Sequence, residues 1–200
     1  TLVHVFFLLF ALLECRLMMQ RKVTERYHMG AANDGTFLAA ENGRTRARKN
    51  KKISVSYQTP RDFVDNKWRK VDERPYGGGP GMVMTALPVV RAIDKAVGRK
   101  KGKTAVIWFE PGAKAFDNKE ADKLASFDDI ALVCGRYEGI DTRAKAIAKT
   151  LGTLKTYSVG EAIYTGGEVP ALAIVDAVTR RIPGVLGKDD SVEERRIASR

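Results

Sequence analysis

Residues 130–141 read Ile-Ala-Leu-Val-Cys-Gly-Arg-Tyr-Glu-Gly-Ile-Asp (IALVCGRYEGID). The apolar run from Ile130 to Cys134 has no polar alternation, so it predicts a strand buried on both faces, as in a parallel sheet covered by helices. Gly135 to Gly139 then forms a glycine-framed loop, and Thr142 to Leu151 has helical spacing that stops at Gly152. Strand, loop and helix in that order make the basic unit of an α/β domain.

The pattern repeats outward from this unit. Upstream, Thr104 to Phe109 is strand-like, Glu120 to Phe127 is helical, and Leu87 to Val97 carries apolar residues at helical spacing. Ile53 to Tyr57 alternates like a short strand and ends at the Thr59-Pro60 turn. Val3 to Phe10 predicts another buried strand. The longer apolar run to Leu13 is too short to cross a bilayer as a helix and is read as a strand entering a helix, not as a targeting or membrane segment. Downstream, Ala171 to Arg181 predicts a helix whose first turn follows Pro170. The expected architecture is α/β with a largely parallel sheet.

With 200 residues, 44% of them hydrophobic and 30% charged, the chain has the composition of an ordinary globular domain. Its net charge of +11 favours a polyanionic partner, RNA above all. The basic run Arg44, Arg46, Arg48, Lys49, Lys51, Lys52 either faces phosphates or forms a solvated helix face. Cys15 and Cys134 have no paired spacing and there are two histidines, which supports neither a disulfide framework nor a zinc site and fits a reducing cytoplasm.

Ligands of open parallel sheets sit beyond the carboxyl ends of the strands. Three glycine-containing stretches begin at or near such ends: Glu110-Pro111-Gly112, Gly135 to Gly139, and Tyr157 to Pro170, YSVGEAIYTGGEVP. Glycine lets main-chain donors and acceptors approach a ligand closely, which suits reading of an adenine edge. A fourth stretch, Arg74 to Met82 (RPYGGGPGM), is expected to cover the site as a lid. None matches a phosphate-binding P-loop, and Ala11-Leu12-Leu13 stands where a dinucleotide fold carries its first glycine turn.

Pro60 to Phe63, Val71 to Met82 (VDERPYGGGPGM), Leu132 to Asp141, Tyr157 to Pro170 and Asp176 to Gly187 (DAVTRRIPGVLG) together resemble the bacterial tRNA (guanine-N1-)-methyltransferases. The resemblance implies a knotted, SPOUT-type α/β domain in which late glycine loops thread an earlier one as a deep trefoil, an exception to the near absence of knots. It also implies a homodimer with its active site at the interface. S-adenosyl-L-methionine would be the donor, a tRNA the substrate rather than DNA, and N1 of the guanine 3′ to the anticodon the acceptor. By the same resemblance the donor pocket comprises Trp108, Phe109, Glu110, Pro111, Gly135, Tyr137, Glu138, Val159, Gly160, Glu161, Ala162, Ile163, Tyr164, Gly166, Gly167 and Pro170. Arg180 would sit near guanine O6 and stabilise charge as the N1 proton leaves. Glu138 and Glu161 would favour the sulfonium or help place a magnesium ion.

The sequence departs from that family pattern in its catalytic base. Arg195 stands where the family carries an aspartate, and arginine cannot accept a proton, so Glu194, beside Glu193, becomes the candidate. The expected organisation is a catalytic domain over 1–187, of which 1–52 matches the family poorly. Residues 188–200 are expected to begin a linker to a helical tRNA-binding domain that the chain does not contain. Alternative expectations are a catalytically impaired RNA-binding protein on the same fold, and a SPOUT-type enzyme acting on another RNA.

Overall fold

The computed structural model describes residues 3–8, 52–98 and 102–186. Five strands form one sheet in the order β2-β1-β6-β5-β7: β1 is Val3–Leu8, β2 Ile53–Gln58, β5 Thr104–Ala115, β6 Asp129–Val133 and β7 Thr153–Ser158. Every pairing between neighbours is parallel. The remaining strands, β3 (Asp72–Glu73) and β4 (Val83–Met84), make an antiparallel ribbon that closes the base of the 74–82 loop.

Strand β6, the apolar part of the 130–141 stretch, occupies the middle of the sheet. All five of its residues are buried, and the four apolar ones alternate between two cores. Ile130 and Leu132 pack toward α2 (Asn118–Leu124) and α4 (Glu168–Thr179), with Leu124, Ile174, Val175 and Val178. Ala131 and Val133 face α1 (Ala86–Val97) and α3 (Thr142–Leu151), with Val89, Ile93, Ala144 and Ala148. Burial on both faces explains the unbroken apolar run, because neither set of side chains meets water.

Helix ends follow local chemistry. The Asp117 carboxylate accepts from the Glu120 amide at 2.8 Å and that of Asp141 from the Arg143 amide at 2.9 Å, capping α2 and α3. Gly98, at φ 61°, terminates α1. Helix α4 begins at Glu168, so Pro170 lies within its first turn and not before it. A proline fits there because the first-turn N–H groups lack intrahelical acceptors anyway.

Two strands differ from expectation. β5 runs on through Glu110-Pro111-Gly112 to Ala115, with its register against β7 broken between Phe109 and Lys114. Of β7 only the end near Tyr157 was expected, not its range: Thr-Leu-Lys-Thr-Tyr-Ser is an edge strand of mostly half-exposed residues and lacks an apolar run. Helix α2 ends at Leu124, short of Phe127. Leu9, Phe10, the basic run from Arg44 to Lys51, and residues 187–200 lie outside the described residues. Among those described, no helix is long and apolar enough to cross a membrane.

Candidate functional site

Strands β6, β5 and β7 are neighbours, so the loops leaving their carboxyl ends meet. They enclose a cleft of about 300 Å³. Phe109, Glu110 and Pro111 of β5 form one wall, Gly135 to Gly139 a second, and Tyr157, Ser158, Val159 and Ala162 to Gly167 a third, with Pro170 of α4 beside them. Its volume lies at the small end of the range for small-molecule sites, about 300–1,000 Å³.

Close backbone approach makes this geometry possible. A Cβ at Gly167 would lie 2.6 Å from Cys134 Cα, so only glycine lets the start of α4 rest on the end of β6. The Gly167 amide donates to the Gly135 carbonyl at 3.0 Å, stitching the two loops together. Arg136 Nε donates to Glu168 Oε1 at 2.9 Å in a partly buried ion pair that clamps the same loops from the side. Tyr137 adopts φ 59°, a left-handed conformation that non-glycine side chains seldom take and that concentrates at functional sites.

The 74–82 loop touches this assembly along one edge. Glu138 donates its amide to the Met82 carbonyl at 3.0 Å, and Met84 donates to Gly139 at 2.9 Å. Gly81 is held at φ 82°, where a Cβ would lie 2.5 Å from Glu138 Cγ. The tip behaves differently: Gly77, Gly78 and Gly79 have open space around them and Tyr76 is fully exposed. The stretch is thus anchored at Gly81 and Met82 and free at its tip.

Charged groups near the cleft are mostly paired. Lys145 Nζ lies 2.7 Å from Glu110 Oε1, tying α3 to the β5 wall. Beneath the cleft, Tyr157 Oη donates to Glu120 Oε2 at 2.6 Å, and Lys114 and Lys123 donate to Glu120 Oε1 at 2.6 and 2.9 Å. Hydrogen bonds from Lys114, Tyr157 and Lys123 pull the Glu120 carboxyl down to about 2. Burial, followed by the adjoining Glu120, pushes the Tyr157 phenol well above its ordinary value, so it stays protonated. Burial likewise raises the Cys134 thiol, which keeps it from ionising.

Of the residues expected to hold a donor, Phe109, Glu110, Pro111, Gly135, Tyr137, Glu138, Val159, Ala162, Ile163, Tyr164, Gly166, Gly167 and Pro170 line the cleft. Trp108 does not; it is 5% exposed and belongs to the core on the α1–α3 face. Gly160 and Glu161 lie on the exposed part of the third loop, outside the lining, as does Gly112 at the tip of the first. Arg136, Gly139, Tyr157, Ser158 and Thr165 also line the cleft; they belong to the stretches expected at the ligand site but not to the expected donor-binding set. The first two were legible inside the GRYEG run, whereas Tyr157 and Ser158 are the last residues of β7, whose range the sequence did not reveal.

Arg180 is at the carboxyl end of α4, the helix whose amino end forms the cleft. At about 1.5 Å of rise per residue it stands roughly 20 Å from Gly167, away from the cleft. Glu194 lies outside the described residues. No group of three or more His, Cys, Asp or Glu among the described residues is placed to hold a metal ion.

A parallel α/β domain with a glycine-walled ligand cleft at the ends of three adjacent strands is the class that fold and site define. The chain belongs to the tRNA (guanine-1)-methyltransferase family: the family model described as tRNA (Guanine-1)-methyltransferase TrmD matches residues 38–199. It is 43% identical over 147 residues to the tRNA (guanine-N(1)-)-methyltransferase of Vibrio campbellii, covering 74% of this chain and 58% of that protein. It is 44% identical over 147 residues to the protein of the same description from Photobacterium profundum, covering 74% and 57%. To that from Thermomicrobium roseum it is 40% identical over 142 residues, covering 71% and 52%. The chain thus spans just over half the length of these curated relatives.

Proposed function

We propose that this chain forms the catalytic part of an S-adenosylmethionine-dependent enzyme that methylates N1 of the guanine 3′ to the anticodon in tRNA. The observation that carries this reading is the convergence of three glycine loops on a cleft built from the residues that match the family. A bound nucleoside fits the cleft's chemistry: the cleft has open space beside Gly139 and aromatic and aliphatic walls from Phe109, Tyr164 and Ile163. The donor supplies a methyl carbon activated by the adjacent positive sulfonium.

The protein's part is to align acceptor and donor for in-line displacement and to manage the N1 proton. Glu138, at the cleft and beside Gly81, is assigned to the positive charge of the donor. As the N1–H bond breaks, negative charge spreads onto guanine O6, and the role of Arg180 is to stabilise it there. Its place about 20 Å along α4 from the cleft favours a homodimer in which Arg180 of the partner subunit completes each site. Glu194 is assigned to accept the proton. The trefoil knot is part of the same reading and rests on the family match. Magnesium has no place in this reading, because Glu161 lies outside the cleft that Glu138 lines and no metal-holding group occurs among the described residues.

The occupancy of the family's aspartate position by Arg195 favours one second reading, a donor-binding protein with impaired turnover. One experiment separates the two. Labelled donor is incubated with an unmodified tRNA transcript and with one carrying adenine in place of the guanine 3′ to the anticodon. Incorporation into the first alone is expected; donor binding without incorporation would support the impaired protein, and equal labelling of both would overturn the choice of acceptor.

A further inference from the structure

We propose that Glu120 is a positioning residue for the cleft, fixing its β5 and β7 walls relative to each other through Lys114 and Tyr157; this rests on the cleft being the donor site. Glu120 lies on α2, is 3% exposed and does not line the cleft. Its carboxylate nevertheless reaches both walls. Tyr157 of β7, a lining residue, donates to Oε2, and Lys114 of β5 donates to Oε1.

These two partners occupy particular places. β5 leaves its register with β7 after Phe109 and rejoins it at Lys114, and both residues pair with Tyr157. The intervening excursion carries Glu110 and Pro111 into the cleft wall. Lys114 and Tyr157 therefore mark the point where the excursion closes, and one buried carboxylate holds both by short, charge-assisted hydrogen bonds. Just beyond, the Phe116 amide donates to the Ser158 carbonyl at 2.8 Å, and the Phe116 and Tyr157 rings meet edge to face at 5.5 Å. Releasing the carboxylate would let the wall shift against the third loop, and displacements of about 1 Å are enough to impair a binding constellation.

A third partner supplies the control. Lys123 donates to the same Oε1 at 2.9 Å, yet it sits on α2 one turn from Glu120 and is attached to neither wall. If Glu120 only stabilised the fold, losing either lysine would have similar consequences. Lys114 and Lys123 are equally exposed, at 60% and 61%.

The test measures donor KM and kcat for methyl transfer, with donor affinity by calorimetry and thermal unfolding, in the intact protein and its Lys114→Met, Lys123→Met and Glu120→Gln variants. Lys114→Met and Glu120→Gln are expected to raise donor KM and Kd by about tenfold, with kcat within about twofold. Lys123→Met should leave all three within about twofold. Wild-type donor affinity in Lys114→Met, or equal losses in the two lysine variants, would overturn the positioning role while leaving the donor site intact. A wild-type protein that binds no donor would remove the functional reading and this role together. The lysine pair keeps the test valid even where Glu120→Gln does not fold.

Discussion

Two glycines of similar appearance in the sequence have opposite structural consequences. Gly167 has a backbone atom where a Cβ would go, whereas Gly77 faces open space without a left-handed φ. Gly167→Ala should therefore lower stability by about 1–3 kcal/mol through overpacking, and Gly77→Ala should stay within about 0.5 kcal/mol, as urea unfolding would measure. Glu120 gives a second test at this scale. Its folded-state pKa is lowered from 4.5 to about 2, so the ionised carboxylate favours the native state. That contribution is fully present above pH 4.5 and is lost as pH falls from there toward 2. In pH-dependent unfolding, Glu120→Gln should be less stable than wild type by about 2 kcal/mol near neutrality, with the gap closing across the acid window. A constant gap down to pH 2 would show that the carboxylate's ionisation is not what matters.

At the scale of elements, the end of α4 assigns different work to adjacent arginines. Arg181 is buried, donating from Nε to Asp122 at 2.8 Å, from Nη2 to Asn118 at 2.8 Å and from Nη1 to the Ala177 carbonyl at 2.7 Å. It docks α4 on α2. Arg181→Met should cost about 1–3 kcal/mol of stability, because the buried guanidinium's hydrogen bonds to the exposed Asp122 and Asn118 side chains and to the Ala177 carbonyl are lost. Arg180→Ala should leave the melting temperature nearly unchanged while reducing methyl transfer, and the reverse pattern would exchange the two assignments. What could be read of the elements beforehand follows their burial. β6 and the first half of β5 carry unbroken apolar runs because both faces are covered, and they stood out. β7 did not, because an edge strand of Thr, Lys and Ser has no such run. The Glu120 cluster was equally hidden: its helix segment Asn118–Leu124 looks like any short amphipathic turn, and its partner Tyr157 is 37 residues away. The Gly135–Gly139 and Gly166–Gly167 portions of the cleft were legible through motif, but their clamp, Arg136 to Glu168, is a long-range contact that spacing does not announce.

For the whole molecule, the separation of Arg180 from the cleft along α4 makes the subunit arrangement testable. In the proposed homodimer, a subunit bearing Arg180→Ala keeps a sound cleft, and one bearing Ala162→Trp keeps a sound arginine. Each variant alone should be nearly inactive. Random mixing should restore about a quarter of wild-type turnover, since half the dimers would be mixed and each would hold one complete site. No recovery on mixing would place Arg180 and its cleft in the same subunit.

The central claim is that the cleft at the ends of β5, β6 and β7 holds the methyl donor. Ala162 lines that cleft and is exposed, so a large side chain there fills the cleft without entering either core. Calorimetric titration of S-adenosylmethionine into wild type and Ala162→Trp, with melting temperatures of both, tests the claim directly. One donor should bind per wild-type subunit, with binding weakened by more than about tenfold in the variant and melting unchanged. Equal affinity in the two proteins, or no binding by wild type, would contradict it.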